Sequence, residues 1–164
     1  MHRRGQSSVE YIIALAALLT VIAGVSIPIL QNSEAKVKNV EALSHGRAVL
    51  EYLRNGLDVA INGRVGESKT YSLHVRKGVS LNLSMRSQEL SHGYLLTLNC
   101  TVTRNGNPVG WMTSSILSSR EYSMDSFSMG EGIWELTIRR VGNSTSISVN
   151  VCESSKKVEV IVGD

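Results

Sequence analysis

The sequence of 164 residues contains few of the residues that build metal and catalytic centres. It has two cysteines, Cys100 and Cys152, and four scattered histidines, and none of these lies at the spacing of a zinc ligand set. It also lacks the Gly-x-Ser-x-Gly motif of serine hydrolases and the His-Glu-x-x-His motif of zinc proteases. We therefore expect no enzyme activity, no cofactor and no metal.

Two short segments match known motifs incompletely. Residues 63–70 resemble a phosphate-binding loop, but Ser68 stands where that loop requires a glycine before Lys69. Ser154 and Lys157 have the spacing of a serine acylase pair without its companion motifs. The net charge is only +3, with no basic stripe interleaved with aromatic residues, so no nucleic-acid partner is specifically indicated.

One long apolar run lies near the N-terminus. Residues 11–30 carry no charge, and twenty apolar residues are enough to cross a bilayer as a helix. Arg3 and Arg4 precede the run, which places them on the cytoplasmic side and the rest of the chain outside. An ordinary secretory signal, cleaved near Ala23-Gly24, is the alternative, but its apolar part is usually shorter, about 7–15 residues.

Glu10 stands at the edge of this apolar run. A carboxylate in that position is costly unless it has a partner or lies at the headgroup level. Ser7 and Glu10 have the spacing of a capping box, which would help the helix to begin. The other interpretation is that Glu10 pairs with a cation once the helix leaves the membrane.

The stretch that precedes the apolar run reads RRGQSSVEY, from Arg3 to Tyr11. It resembles the class III signal peptide of archaeal type IV pilins, and bacterial tight-adherence pilins and pseudopilins have related leaders. The resemblance implies cleavage between Gly5 and Gln6 by a membrane prepilin peptidase, so that the apolar helix stays on the mature chain. It also implies that Glu10 neutralises the amine of Gln6 in a neighbouring copy.

The same resemblance implies the partners and the location of the chain. The partners would be further copies of itself, the prepilin peptidase, and a pilus assembly platform with its ATPase. The precursor would lie in the membrane with its head outside, and the mature chain would lie in an extracellular pilus or at the cell surface.

The helical pattern continues beyond the apolar run. Pro28 removes a backbone donor and is expected to kink or open the helix, with helical character returning at Ala35. An apolar stripe at three- and four-residue steps then predicts an amphipathic helix. It ends at Asn62-Gly63, with a left-handed glycine cap, or earlier at Asn55-Gly56. The stripe comprises Val37, Val40, Leu43, Gly46, Leu50, Leu53 and Leu57.

The remainder of the chain predicts a mainly antiparallel β head domain. Alternating segments at 71–75, 79–85 and 94–102 precede Asn105-Gly106, a tight-turn dipeptide. Segments 133–141 and 146–152 are expected to form a hairpin around Gly142-Asn143, and 157–162 a last strand. Residues 113–130 predict a loop or an edge strand.

The predicted fold is therefore α+β, with a long N-terminal helix followed by a head domain that is sandwich-like or wraps a sheet on the helix. Its parts are a leader (1–5), an apolar helix (6–30), an amphipathic continuation (31–63) and the head domain (64–164).

Two kinds of covalent modification are expected if the head domain is exported. Cys100 and Cys152 would form a disulfide that closes a loop of about fifty residues, worth ~2–4 kcal/mol, the alternative being two buried thiols. N-glycosylation sequons begin at Asn82, Asn99 and Asn143, and Asn143 is the best placed because it lies in a predicted turn.

Two functional hypotheses follow. The first is a structural subunit of a type IV pilus-like filament that polymerises through its N-terminal helix. The alternative is a membrane-anchored or secreted β-domain that binds a surface partner without polymerising.

Overall fold

The computed structural model describes the backbone of residues 3–163 and the side chains of residues 9–163. Helix α1 spans Arg3–Asn62, and strands follow it to the end of the described chain. Two compact units are present, Met1–Asn39 and Val40–Asp164, so the last part of α1 belongs to the same unit as the strands. The predicted α+β fold is confirmed.

Nine strands in the described chain form two sheets. The five-stranded sheet has the order β1-β7-β9-β8-β5 and the four-stranded sheet the order β4-β3-β2-β6. Neighbours are antiparallel except for the pairs β5/β8 and β7/β9. The strands are β1 (Ser68–Val75), β2 (Val79–Leu90), β3 (Gly93–Arg104), β4 (Asn107–Ser118), β5 (Ser123–Met124), β6 (Phe127–Met129), β7 (Gly132–Arg140), β8 (Ser146–Cys152) and β9 (Lys157–Val162).

Each sheet buries one face, because apolar residues alternate with polar ones along its strands. In β2 the buried residues are Val79, Leu81, Leu83 and Met85. In β7 they are Trp134, Leu136 and Ile138. Together with the last part of α1 these faces form one hydrophobic core.

Helix α1 approaches both sheets closely at two glycines. A Cβ atom on Gly46 would lie 2.6 Å from Val102 Cγ2 in the four-stranded sheet. A Cβ atom on Gly56 would collide with Ile138 in the five-stranded sheet, and would also lie 3.2 Å from Tyr71. The two glycines therefore allow the helix to pack directly on side chains of each sheet in turn.

The helix continues without interruption through Pro28. The predicted opening before Ala35 is therefore wrong, because one proline removes a single hydrogen bond and the flanking turns remain helical. The amphipathic stripe is also shorter than predicted. Val37 and Val40 are exposed, whereas Leu50, Leu53 and Leu57 are buried.

The helix ends at Asn62, as predicted, but its cap is a side chain. Gly63 has no left-handed backbone conformation. The Nη1 atom of Arg140, in β7, donates to the carbonyl oxygens of Ile61 (2.8 Å), Gly63 (2.8 Å) and Ala60 (3.3 Å). A guanidinium thus satisfies the last helical carbonyls and lies at the negative end of the helix dipole.

The turn predicted at Asn105-Gly106 is confirmed. The two residues join β3 to β4 with backbone φ angles of 50° and 79°, and Arg104 pairs with Asn107 across them. Positive φ at both central positions is the type I′ pattern that matches strand twist, which explains why asparagine and glycine occupy them.

The hairpin predicted around Gly142-Asn143 is wrong. Strand β9 lies between β7 and β8, parallel to β7 and antiparallel to β8. The chain does turn between β7 and β8, but the two strands do not pair with each other. Each of them pairs with β9 instead. Residues 113–130, predicted as a loop or an edge strand, contain the second half of the edge strand β4, and then β5 and β6.

Candidate functional site

The most conspicuous surface of the protein is the first part of α1. Every large apolar side chain from Val9 to Leu30 is exposed. Monomeric soluble proteins rarely expose contiguous apolar surface of this extent to water, and such surface is typical of a contact with lipid or with other protein. The exposed large apolar residues are Val9, Tyr11, Ile12, Ile13, Leu15, Leu18, Leu19, Val21, Ile22, Val25, Ile27, Ile29 and Leu30.

By length and composition, α1 is the one described helix that could cross a membrane. Two of its hydroxyl groups are satisfied within the helix itself. Thr20 Oγ1 donates to the Ala16 carbonyl at 2.8 Å, and Ser33 Oγ donates to the Ile29 carbonyl at 2.9 Å. Such bonds remove the cost of placing a hydroxyl in an apolar medium.

Glu10 lies at the N-terminal edge of this apolar surface. Its side chain is exposed and has no hydrogen bond or ion pair with any residue whose side chain the structure describes. Gly5 and Gln6, the predicted cleavage residues, lie in the helical backbone, and their side chains fall outside the described residues. Glu10 therefore presents an exposed carboxylate at the N-terminal edge of the apolar surface.

Cys100 and Cys152 are not bonded to each other, so the predicted disulfide is wrong. Cys100 is buried on the inner face of β3, while Cys152 ends β8 in the other sheet and is exposed. Burial raises the pKa of Cys100 to about 11. Hydrogen bonds from Ser154 and Ser155 lower the pKa of Cys152 to about 7.

The three sequon asparagines lie in two places. Asn143 is exposed between β7 and β8, where its Oδ1 atom accepts a hydrogen bond from Arg140 at 3.4 Å. Asn82 and Asn99 lie on the outer face of the four-stranded sheet in adjacent strands. Asn82 pairs with Thr101 and Asn99 with Ser84, so each asparagine faces the hydroxyl residue of the other sequon.

Charged side chains on the outer face of the five-stranded sheet form ion pairs with each other. Arg139 Nε lies 2.8 Å from Glu159 Oε1, and Lys157 Nζ lies 3.0 Å from Glu135 Oε2. Among the described residues no three potential metal-binding side chains come together. A shallow hollow of about 340 Å³ on this face is lined by both carboxylates and by Cys152.

The outer face of the four-stranded sheet carries an exposed tryptophan, and the sequence analysis did not predict this surface. Trp111 in β4 is 76% exposed, with Thr113, Ser115 and Leu117 following on the same face. Thr113, Ser115 and Leu117 lie in the stretch predicted as a loop or an edge strand, and Trp111 lies just before it. The signal that identifies it is the Asn105-Gly106 turn, which requires a strand directly after it.

Comparison with known proteins adds no relative to this description. No protein-family model, no curated protein and no solved structure matches the chain.

Proposed function

We propose that this protein is a structural subunit of an extracellular type IV pilus-like filament. In this proposal a prepilin peptidase removes residues 1–5, the precursor waits in the membrane, and subunits then polymerise through the apolar part of α1. The observation that carries the proposal is the apolar surface of residues 9–30, exposed on all sides, with Glu10 at its N-terminal edge. The resemblance of residues 3–11 to an archaeal class III signal peptide supports it.

In this proposal the apolar surface is buried by lipid in the precursor and by other subunits in the filament. Lipid chains cover it in the precursor, since twenty residues at 1.5 Å each span a hydrocarbon core of about 30 Å. In a filament, the same helices of neighbouring copies replace the lipid. Because both environments are apolar, transfer between them exposes little surface to water, and a separate assembly ATPase supplies the energy.

Glu10 gives this arrangement a register. When Gln6 is the first residue of the mature chain, its amine is a cation that Glu10 of a neighbouring copy can neutralise. A carboxylate left unpaired in an apolar filament core costs several kcal/mol. Subunits that bind out of register are therefore rejected, while the correctly placed pair adds little net stability.

The alternative function is that of a non-polymerising β-domain held at the membrane by α1. The length of the apolar helix supports the anchor and the filament subunit equally, because a simple anchor needs the same twenty residues. A simple anchor, however, needs neither the Gly5-Gln6 bond nor Glu10.

The deciding experiment is the intact mass and N-terminal sequence of the chain recovered from sheared surface material. A chain that begins at Gln6 and keeps the apolar helix is the expected result. A chain that begins near Val25 would mean ordinary secretion. A chain with intact Met1 that is found in the membrane fraction and absent from the sheared material would mean an anchor.

A further inference from the structure

We infer that the outer face of the four-stranded sheet, centred on Trp111, is a binding site for neutral polysaccharide. The site is a shallow hollow of about 590 Å³ on β2, β3 and β4. Apart from the Trp111 indole it is lined by hydroxyl and amide side chains and one guanidinium, with no carboxylate. Six of its lining residues are Ser84, Arg86, Thr97, Asn99, Thr101 and Trp111.

The strand register arranges these side chains in rows. Thr101 lies beside Trp111, Ser84 beside Asn99, and Arg86 beside Thr97. Directly opposite residues in antiparallel strands have Cβ atoms about 4.5–5.5 Å apart, and successive rows on one face are separated by two residues. The result is a flat, rigid array of polar groups beside one exposed indole.

The polar groups of this hollow are free to bind a ligand. None of the polar residues in those rows makes a side-chain hydrogen bond or an ion pair with another protein group among residues 9–163. The corresponding face of the five-stranded sheet is instead bridged by the pairs Arg139–Glu159 and Lys157–Glu135. The two outer faces therefore differ, because ion pairs bridge the strands of the second face and none bridges these rows of the first among the described residues.

The chemistry of the lining selects the class of ligand. Hydroxyl and amide side chains both donate and accept hydrogen bonds, as sugar hydroxyls do. The indole offers a broad apolar face to the C–H face of a sugar ring and a polar N–H at its edge. A single guanidinium gives too little charge for a polyanion such as nucleic acid. A protein partner would require an apolar interface core, and the hollow holds no aliphatic side chain.

The test is binding of the full-length chain, made in a host without N-glycosylation and kept in a sugar-free zwitterionic detergent. The probes are cellulose, chitin and immobilised mannan, with dextran sulfate and a single-stranded oligonucleotide for comparison. We expect saturable binding to at least one neutral polysaccharide, and binding at least about tenfold weaker for Trp111→Ala. The control is Leu117→Ala, on the same strand and face and 69% exposed, with an affinity within twofold of the unmodified chain.

Three results would overturn the inference. They are no binding to any neutral polysaccharide, equal binding by Trp111→Ala, and preferential binding to dextran sulfate or to the oligonucleotide. The intact mass of the native chain supplies a further test, because a glycan attached to Asn99 would fill the hollow and exclude a free ligand. Since the measurement uses dispersed chains, it stands or fails independently of filament assembly.

Discussion

Cys100 and Cys152 show how two residues of one type acquire opposite chemistry from their surroundings. Cys100 lies in the apolar core, where burial disfavours the thiolate and raises its pKa to about 11. Cys152 lies at the surface, where hydrogen bonds from neighbouring serines favour the thiolate and lower its pKa to about 7. Of the two thiols, the second is accessible and is about half ionised at pH 7.

This difference predicts selective alkylation. At pH 7.5 iodoacetamide should modify Cys152 in the folded chain and leave Cys100 unmodified until the protein unfolds, because the thiolate is the reactive form. The rate at Cys152 should fall as the pH is lowered through about 7, since the thiolate is then protonated. Peptide mass spectrometry after timed labelling measures both rates.

A Cys152→Ser variant is the matched control and should show no labelling under native conditions. Recovery of an unreduced chain in which neither thiol can be alkylated, even in denaturant, would contradict the structure and restore the disulfide expected from the sequence.

At the scale of the element, the end of α1 depends on a residue about eighty positions further along the chain. The Arg140 guanidinium contacts three carbonyls of the helix terminus and also donates from Nε to the Gly142 carbonyl at 3.2 Å. Removing it leaves partly buried carbonyls without partners. Hydrogen bonds to charged groups contribute roughly 1.5–3 kcal/mol each, which is more than a neutral cap provides.

We therefore predict that Arg140→Gln lowers the free energy of unfolding by about 2 kcal/mol. The adjacent Arg139→Gln is the matched control, because Arg139 makes an exposed ion pair with Glu159 that is worth about 0–1 kcal/mol. Denaturant titration of the two variants, followed by circular dichroism, measures the difference. Equal destabilisation by both substitutions would show that Arg140 does not cap the helix.

The limits of local pattern are clearest in the last three strands. Segments 133–141, 146–152 and 157–162 have the alternation of strands, and all three are strands. Their pairing was predicted wrongly, because alternation reports which face of a strand is buried and not which strand lies beside it. The insertion of β9 between β7 and β8 depends on parallel pairing with β7, which joins residues that are distant along the chain.

At the scale of the whole molecule, the apolar surface and the hydrophobic core are built from different parts of the chain. The strands and the last part of α1 bury a continuous set of apolar side chains, including Leu53, Leu57 and Trp134. Residues 9–30 contribute nothing to that core and keep their apolar surface free. This division is what a subunit needs if one part is to be buried by lipid or by other copies.

The filament proposal predicts the effect of Glu10→Gln. The variant should be cleaved and inserted in the membrane normally, because neutralising a carboxylate at the edge of an apolar helix does not oppose insertion. It should nevertheless yield at least about tenfold fewer filaments, since the amine of Gln6 then lacks its counter-charge. Quantified shearing of surface material, with membrane-fraction immunoblots, separates the two effects.

Glu34→Gln serves as the control for this substitution. Glu34 lies on the same helix beyond the apolar run and pairs with Lys38, an exposed contact that is not expected to affect assembly. Normal filament yield from Glu10→Gln would remove the pairing role, whereas failure of both variants would indicate a general defect in the helix.

The apolar helix, the β character of the rest of the chain and the tight turn at Asn105-Gly106 follow from the sequence, which left the end of the helix open between Asn62 and Asn55. These features depend on composition, periodicity and backbone conformation within a few residues, all of which are local. The tertiary structure alone decided the separation of the cysteines, the capping by Arg140, the order of β7, β9 and β8, and the array around Trp111. Each of these depends on which distant segments become neighbours, and that is fixed by packing around a shared core.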